Sequence, residues 1–161
     1  MSHTIQKLSS ALGAQLKKRQ WKLVTAESCT GGGLAYFVTH VAGSSDWFER
    51  GFVTYSNLAK EELLGVKAAT LRQYGAVSEE TAREMAEGAL RHSKGDVSIA
   101  ITGIAGPSGG TVEKPVGTVW FGLAGNHAKT KTSVHVLSGN REKIREQSIQ
   151  IALEKLLQFI A

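Results

Sequence analysis

The chain has 161 residues, 42% of them apolar, and its 19 Lys and Arg outweigh 14 Asp and Glu to give a formal charge of +5. That length suits a single domain over residues 1–161, burying roughly two-thirds of its unfolded surface in one core without a metal or disulfide staple. The single cysteine, Cys29, excludes an internal disulfide, no apolar run nears the roughly 20 residues that cross a bilayer, and residues 1–20 lack a signal-peptide cleavage site, so a soluble, cytoplasmic protein is expected.

Ile5, Leu8, Leu12 and Leu16 recur at helical spacing and predict an amphipathic first helix. The basic cluster of Lys17, Lys18, Arg19 and Lys22 has only Trp21 as a stacking group and no nucleic-acid signature, so it reads as a solvated helix end. A basic surface also suits a small phosphorylated substrate. Residues 21–26 predict a short first strand, 32–40 a helix, 42–45 a turn, 48–55 a second strand and 58–64 a short helix, followed by a loop. Ser78 is placed to cap a helix that has Glu79 and Glu80 in its first turn and Ala82, Met85, Ala86, Ala89 and Leu90 on one face.

Residues 97–101 form an almost unbroken apolar run, as expected of a strand covered on both faces in the middle of a sheet. A glycine-rich loop follows at 103–110. Strands are then predicted at 116–123 and 131–137, joined by the short Ala124-Gly125-Asn126-His127 link of an antiparallel hairpin. Gly139 or Asn140 caps a long last helix carrying Ile144, Ile151, Ala152, Leu156 and Ile160. The fold predicted is α/β, a three-layer α/β/α sandwich with a mixed five-stranded sheet.

Two segments read as halves of one site: residues 25–33, containing Ser28, and residues 51–60, containing Tyr55 and Lys60. In each, an apolar run stops at hydroxyl side chains and enters a helical pattern. Ligands of α/β sheets bind beyond the carboxyl ends of the strands, so Ser28 and Tyr55 are expected in one crevice. The backbone at Thr30, Gly31 and Gly32 offers N–H groups to an anion, although Ser28 or Thr30 could equally serve only as a helix cap. The segment lacks Gly-x-Ser-x-Gly and carries no α/β-hydrolase signal.

Lys60 can act as a base if its pKa falls from about 10.4 toward neutrality, whereas a solvent-facing lysine ahead of Glu61 and Glu62 is the plain alternative. Tyr55 could likewise be a core aromatic. Cys29 is a rival nucleophile at a helix N-terminus, or else a small buried hydrophobe. The 5 histidines show no metal-ligand spacing. Residues 103–110 lack the Gly-Lys-Ser/Thr ending of a Walker motif and either let backbone approach a ligand closely or merely connect two strands.

Thr25-Ala26-Glu27-Ser28-Cys29-Thr30-Gly31-Gly32, Gly51-Phe52-Val53-Thr54-Tyr55-Ser56-Asn57 through Lys60, Gly75-Ala76-Val77-Ser78, Thr102-Gly103-Ile104-Ala105-Gly106-Pro107 and Lys114-Pro115-Val116-Gly117-Thr118-Val119 closely resemble the CinA C-terminal domain family. The resemblance covers nearly the whole chain, in the stand-alone form that lacks the molybdopterin-binding-like domain of longer members. It implies the same three-layer sandwich and hydrolysis of the carboxamide of nicotinamide mononucleotide to nicotinic acid mononucleotide and ammonia, within pyridine nucleotide recycling. It maps the family's serine, tyrosine and lysine onto Ser28, Tyr55 and Lys60, as a Ser-Lys amidohydrolase without metal or organic cofactor.

On that mapping Lys60, directly or relayed through Tyr55, removes the Ser28 proton. N–H groups near residues 29–32 hold the oxyanion, and Thr102, Gly103 and Arg141 or Arg145 take the phosphate. The expected partners are a small-molecule nucleotide, no nucleic acid and no membrane, with a homodimer or higher homo-oligomer as the assembled form. Two other functions stay open: an inactive paralogue acting as a nucleotide-binding or adaptor module, and hydrolysis of another amide-bearing nucleotide or of a pyrophosphate bond.

Overall fold

The apolar periodicities resolve, in a computed structural model that describes residues 2–161, into helices and strands in the order α1 (His3–Arg19), β1 (Leu23–Glu27), α2 (Gly33–Thr39), β2 (Phe48–Val53), α3 (Asn57–Leu64), α4 (Ala68–Tyr74), α5 (Glu79–Arg91), β3 (Val97–Gly103), β4 (Thr118–Gly125), β5 (Ala128–Val136) and α6 (Arg141–Ile160). The five-stranded sheet runs β2-β1-β3-β4-β5. β1 is parallel to both β2 and β3, whereas β4 and β5 are added antiparallel. The mixed sheet and the three layers follow the sequence reading, and the apolar run at 97–101 lies in the central strand.

Side chains alternate between the two faces of a strand. On one face Leu23, Ile99, Ile101 and Phe121 pack under α1, α2 and α6, whose Leu12, Leu16, Leu34, Ile144, Leu153 and Leu156 complete the larger core. On the other, Val24, Ala26 and Ala100 meet Leu64 of α3, Leu71 of α4 and Met85 and Ala89 of α5. Gly88 sets the closeness of that second layer: a Cβ there would lie 1.9 Å from the carbonyl oxygen of Leu64, so α5 rests directly on the last turn of α3.

Ser78 caps α5 by accepting from the Thr81 amide (3.2 Å), and Asn140, not Gly139, caps α6 by accepting from Lys143 (2.9 Å). The stretch after α3 was expected to be loop and instead contains α4. Its seven residues carry too little periodic apolar character to announce a helix. It is held from outside, with Glu84 of α5 accepting from the Lys67 amide (2.9 Å) and the Thr70 hydroxyl (2.7 Å) while Leu71 is buried. Among the described residues no helix is long and apolar enough to cross a membrane.

Candidate active site

Because β1, β2 and β3 run the same way, their carboxyl ends open on one edge of the sheet. Strand alternation sends the Glu27 side chain toward α2 and that of Ser28 toward α3. The Ser28 amide donates to Ile101 (2.9 Å) and the Thr54 amide to Glu27 (2.8 Å), extending both parallel ladders past the last strand residues. Ser56 then starts α3 by accepting from Ala59 (3.0 Å), and the first turn of that helix carries Lys60 back beneath the end of β2.

Lys60 is among the largest wholly enclosed side chains, 1% exposed. Its Nζ lies 3.0 Å from Ser28 Oγ, 2.9 Å from the Thr54 carbonyl and 3.4 Å from that of Tyr55. Burial pushes its pKa down from 10.5 to about 8. A neutral amine has two N–H donors and one lone pair. The two carbonyls take the donors, which leaves the lone pair for the hydroxyl proton of Ser28.

Cys29 is 6% exposed and packs in the larger core. Burial above all, and next to it the Glu27 carboxylate, push its thiol up from 9.0 to about 11, which keeps it protonated. Tyr55 contributes its carbonyl to Lys60, but its side chain is 61% exposed and its hydroxyl accepts from Arg141 Nη2 (3.1 Å). The relay through Tyr55 is therefore not built, since Lys60 reaches Ser28 directly.

The first turn of α2 holds an anion that the chain itself supplies, at amides beyond the 29–32 backbone expected to face the substrate. The Glu27 carboxylate, 1% exposed, accepts from the amides of Leu34 (2.9 Å) and Ala35 (3.0 Å) and from the Thr30 hydroxyl (2.6 Å). Negative charge is favoured at this end of a helix. Sequence reasoning missed Glu27; the available signal was a carboxylate ending an otherwise apolar strand just ahead of a glycine-rich helix entry.

Between Glu27 and α2 the chain makes a tight turn, closed by the Gly31 amide on the Ser28 carbonyl (3.0 Å). Gly31 and Gly32 have φ of 61° and 99°, left-handed values that favour glycine. The amides of Cys29, Thr30 and Gly32 have no acceptor among the described residues. Behind the turn, Arg145 of α6 donates from Nε to the Cys29 carbonyl (3.1 Å) and from Nη2 to that of Thr30 (3.4 Å).

The β1–β3 register places Thr102 level with Ser28, on the same face, and its hydroxyl donates to Ala76 (2.9 Å). Gly103 ends β3 beside it, and Arg141 reaches across to the Gly106 carbonyl (2.7 Å). The structure thus gathers Ser28, Lys60, Thr102 and the 29–32 backbone, with Tyr55 and Arg141 at the mouth. It turns Arg145 onto the chain's own carbonyls. Among the described residues no three His, Cys, Asp or Glu side chains gather as a metal-binding set.

A family model describing the CinA C-terminal domain matches residues 5–160. The nicotinamide-nucleotide amidohydrolase PncC of Enterobacter agglomerans is 53% identical over 153 residues, which cover 95% of this chain and 93% of the relative. The protein of the same name from Escherichia coli (strain K12) is 51% identical over 154 residues, covering 96% and 93%. Among solved structures, the competence/damage inducible protein CihA from Agrobacterium tumefaciens superposes with a TM-score of 0.95 at 40% identity, over 98% of this chain and 96% of that one. A competence-damaged protein (CinA) superfamily protein from Escherichia coli gives 0.93 at 41% identity, over 99% and 93%.

Proposed function

Since the chain belongs to the CinA C-terminal domain family, we propose that it uses Ser28 and Lys60 to perform the reaction for which its curated relatives are named. The activity is hydrolysis of nicotinamide mononucleotide to nicotinic acid mononucleotide and ammonia, a step of pyridine nucleotide recycling. The observation that carries the assignment of residues is the 3.0 Å contact between Lys60 Nζ and Ser28 Oγ, made by an amine whose other neighbours are two carbonyls.

Neutral Lys60 removes the Ser28 proton as Oγ attacks the carboxamide carbon. Free N–H groups of the 29–32 turn meet the oxyanion, where each donor is worth about 3 to 4 kcal/mol. The tetrahedral adduct collapses to an acyl-serine ester and expels the amide nitrogen, which takes the proton from the Lys60 ammonium and leaves as ammonia. Water then enters, Lys60 takes its proton, and the second adduct returns Ser28 and releases the carboxylate product. Arg141 retains unused N–H groups at the mouth and, with Thr102 and Gly103, receives the phosphate; the exposed Tyr55 ring forms the neighbouring wall.

Ammonia release from purified protein tests this reading. Nicotinamide mononucleotide is expected to turn over and free nicotinamide to be left untouched, because the phosphate anchor supplies binding energy that the free base lacks. Ser28→Ala abolishes turnover and Cys29→Ala keeps most of it, with both variants folded by circular dichroism. Binding without ammonia release would make the chain a nucleotide-binding module, and the opposite pattern of variants would move the nucleophile to the thiol.

A further inference from the structure

The turn after Ser28 is held from behind by the last helix. Arg145 bonds two successive carbonyls of that turn, Cys29 through Nε (3.1 Å) and Thr30 through Nη2 (3.4 Å). Its Nη2 would lie 3.2 Å from a Cβ on Gly31, and Ile149, four residues further along α6, would have its Cδ1 2.8 Å from a Cβ on Gly33. α6 therefore abuts both ends of the turn. No carboxylate pairs with Arg145 among the described residues, so the backbone is what its guanidinium holds.

The C=O and N–H of a trans peptide point in opposite directions. The peptide joining Cys29 to Thr30 has its oxygen drawn toward α6, so the Thr30 N–H points away from α6, toward the face of the sheet where Ser28 and Lys60 meet. That N–H has no acceptor among the described residues. The next peptide is held at the Thr30 oxygen by the Gly33 amide (2.9 Å) as well as by Arg145, while its Gly31 N–H already closes the turn on Ser28, so the Cys29–Thr30 peptide is the one that depends on Arg145. The middle peptide of a β-turn is the unit whose rotation interconverts turn types, and the left-handed glycines that follow do little to stiffen it. Among the described residues no other side chain bonds either carbonyl.

We propose that Arg145 is a positioning residue for the hydrolysis: by gripping the Cys29 and Thr30 carbonyls it holds the Thr30 N–H as a donor to the oxyanion, and it does not bind the substrate phosphate. The proposal rests on the amidohydrolase reading. A cavity of about 310 Å³ opens beside the guanidinium and is lined in part by Thr30, Gly33, Phe37 and Ile149, which gives a small cation from solvent access to the place Arg145 occupies.

The test compares steady-state kinetics on nicotinamide mononucleotide and on the same riboside without its phosphate. Arg145→Met is expected to lower kcat by about 100-fold, the cost of one misplaced oxyanion donor, with KM changed less than about threefold. The loss in kcat/KM is expected to be the same factor on both substrates. Arg145→Lys, which keeps one donor, falls between, and Arg145→Ala regains part of its rate when guanidinium is added at tens of millimolar but not when sodium is. Guanidinium rescue also covers the case in which the Met variant folds poorly.

A loss confined to KM and to the phosphorylated substrate would make Arg145 a phosphate ligand and overturn the proposal, as would an unchanged kcat. A wild type that releases ammonia from neither compound overturns the amidohydrolase reading itself, a result distinct from both.

Discussion

Enclosure is what fits Lys60 for the base role proposed for it. Its lowered pKa of about 8 means that the neutral amine rises steeply in population between neutral and mildly alkaline pH. The base must be unprotonated in the free enzyme. An acid limb is therefore expected in the profile of kcat/KM, with activity falling as pH drops through about 8. Lys60→Arg is expected to be nearly as damaging as Lys60→Ala, because guanidinium keeps its proton at any accessible pH. Retained activity in the arginine variant, with no acid limb, would reduce Lys60 to a binding group. Ser28, Tyr55 and Lys60 could be named as candidates from the sequence because they sit in two compact motifs. Glu27 could not, and Arg145 was named only as a candidate phosphate ligand, since the contacts of Glu27 with α2 amides and of Arg145 with carbonyls 116 and 115 positions away are not encoded in spacing along the chain. The protonated state of Cys29 was equally out of reach, because it follows from the core around the thiol.

At the scale of elements, α3 is the part that matters most to the proposed mechanism, because it carries Lys60, the proposed base. Its last turn rests against Gly88 of α5, where a Cβ would come within 1.9 Å of the Leu64 oxygen and 2.8 Å of the Leu64 carbonyl carbon. Both atoms are backbone and cannot swing aside. Gly88→Ala is therefore expected to cost about 2 to 3 kcal/mol, as overpacking does, and to lower kcat in the fraction that remains folded. Urea unfolding and turnover on the same preparation check both; a neutral effect on each would mean that α3 shifts without disturbing Lys60. Long periodic elements such as α1, α5 and α6 were legible from their apolar stripes, and the capping roles of Ser78 and Asn140 from residue type. α4 was not, since what makes it helical is Glu84 reaching over from a neighbouring helix.

For the molecule as a whole, the enclosed lysine is a cost to stability. Below pH 8 both the folded and unfolded chains carry the Lys60 proton and the full penalty for burying the charge applies, on the order of 3 kcal/mol. Between about 8 and 10.5 only the unfolded chain keeps that proton, so stability from this group rises with pH. Lys60→Met is expected to be inactive yet more stable than the wild type at pH 7, by about 1 to 3 kcal/mol after the lost carbonyl contacts are counted. The difference should shrink as the pH rises through that window. Denaturant unfolding of the pair across a pH series measures it, and a Met variant less stable than the wild type at pH 7 would show the lysine to be a structural prop. α1 and α6 bury their apolar stripes against the same larger core, Ile5, Leu12 and Leu16 from one and Leu153, Leu156 and Ile160 from the other. α1 therefore has no finished surface to settle on until α6 has been made. Synthesis from the amino end leaves α1 waiting for α6, and a nascent chain halted between residues 61 and 140 would hold Ser28 and Lys60 but neither Arg141 nor Arg145.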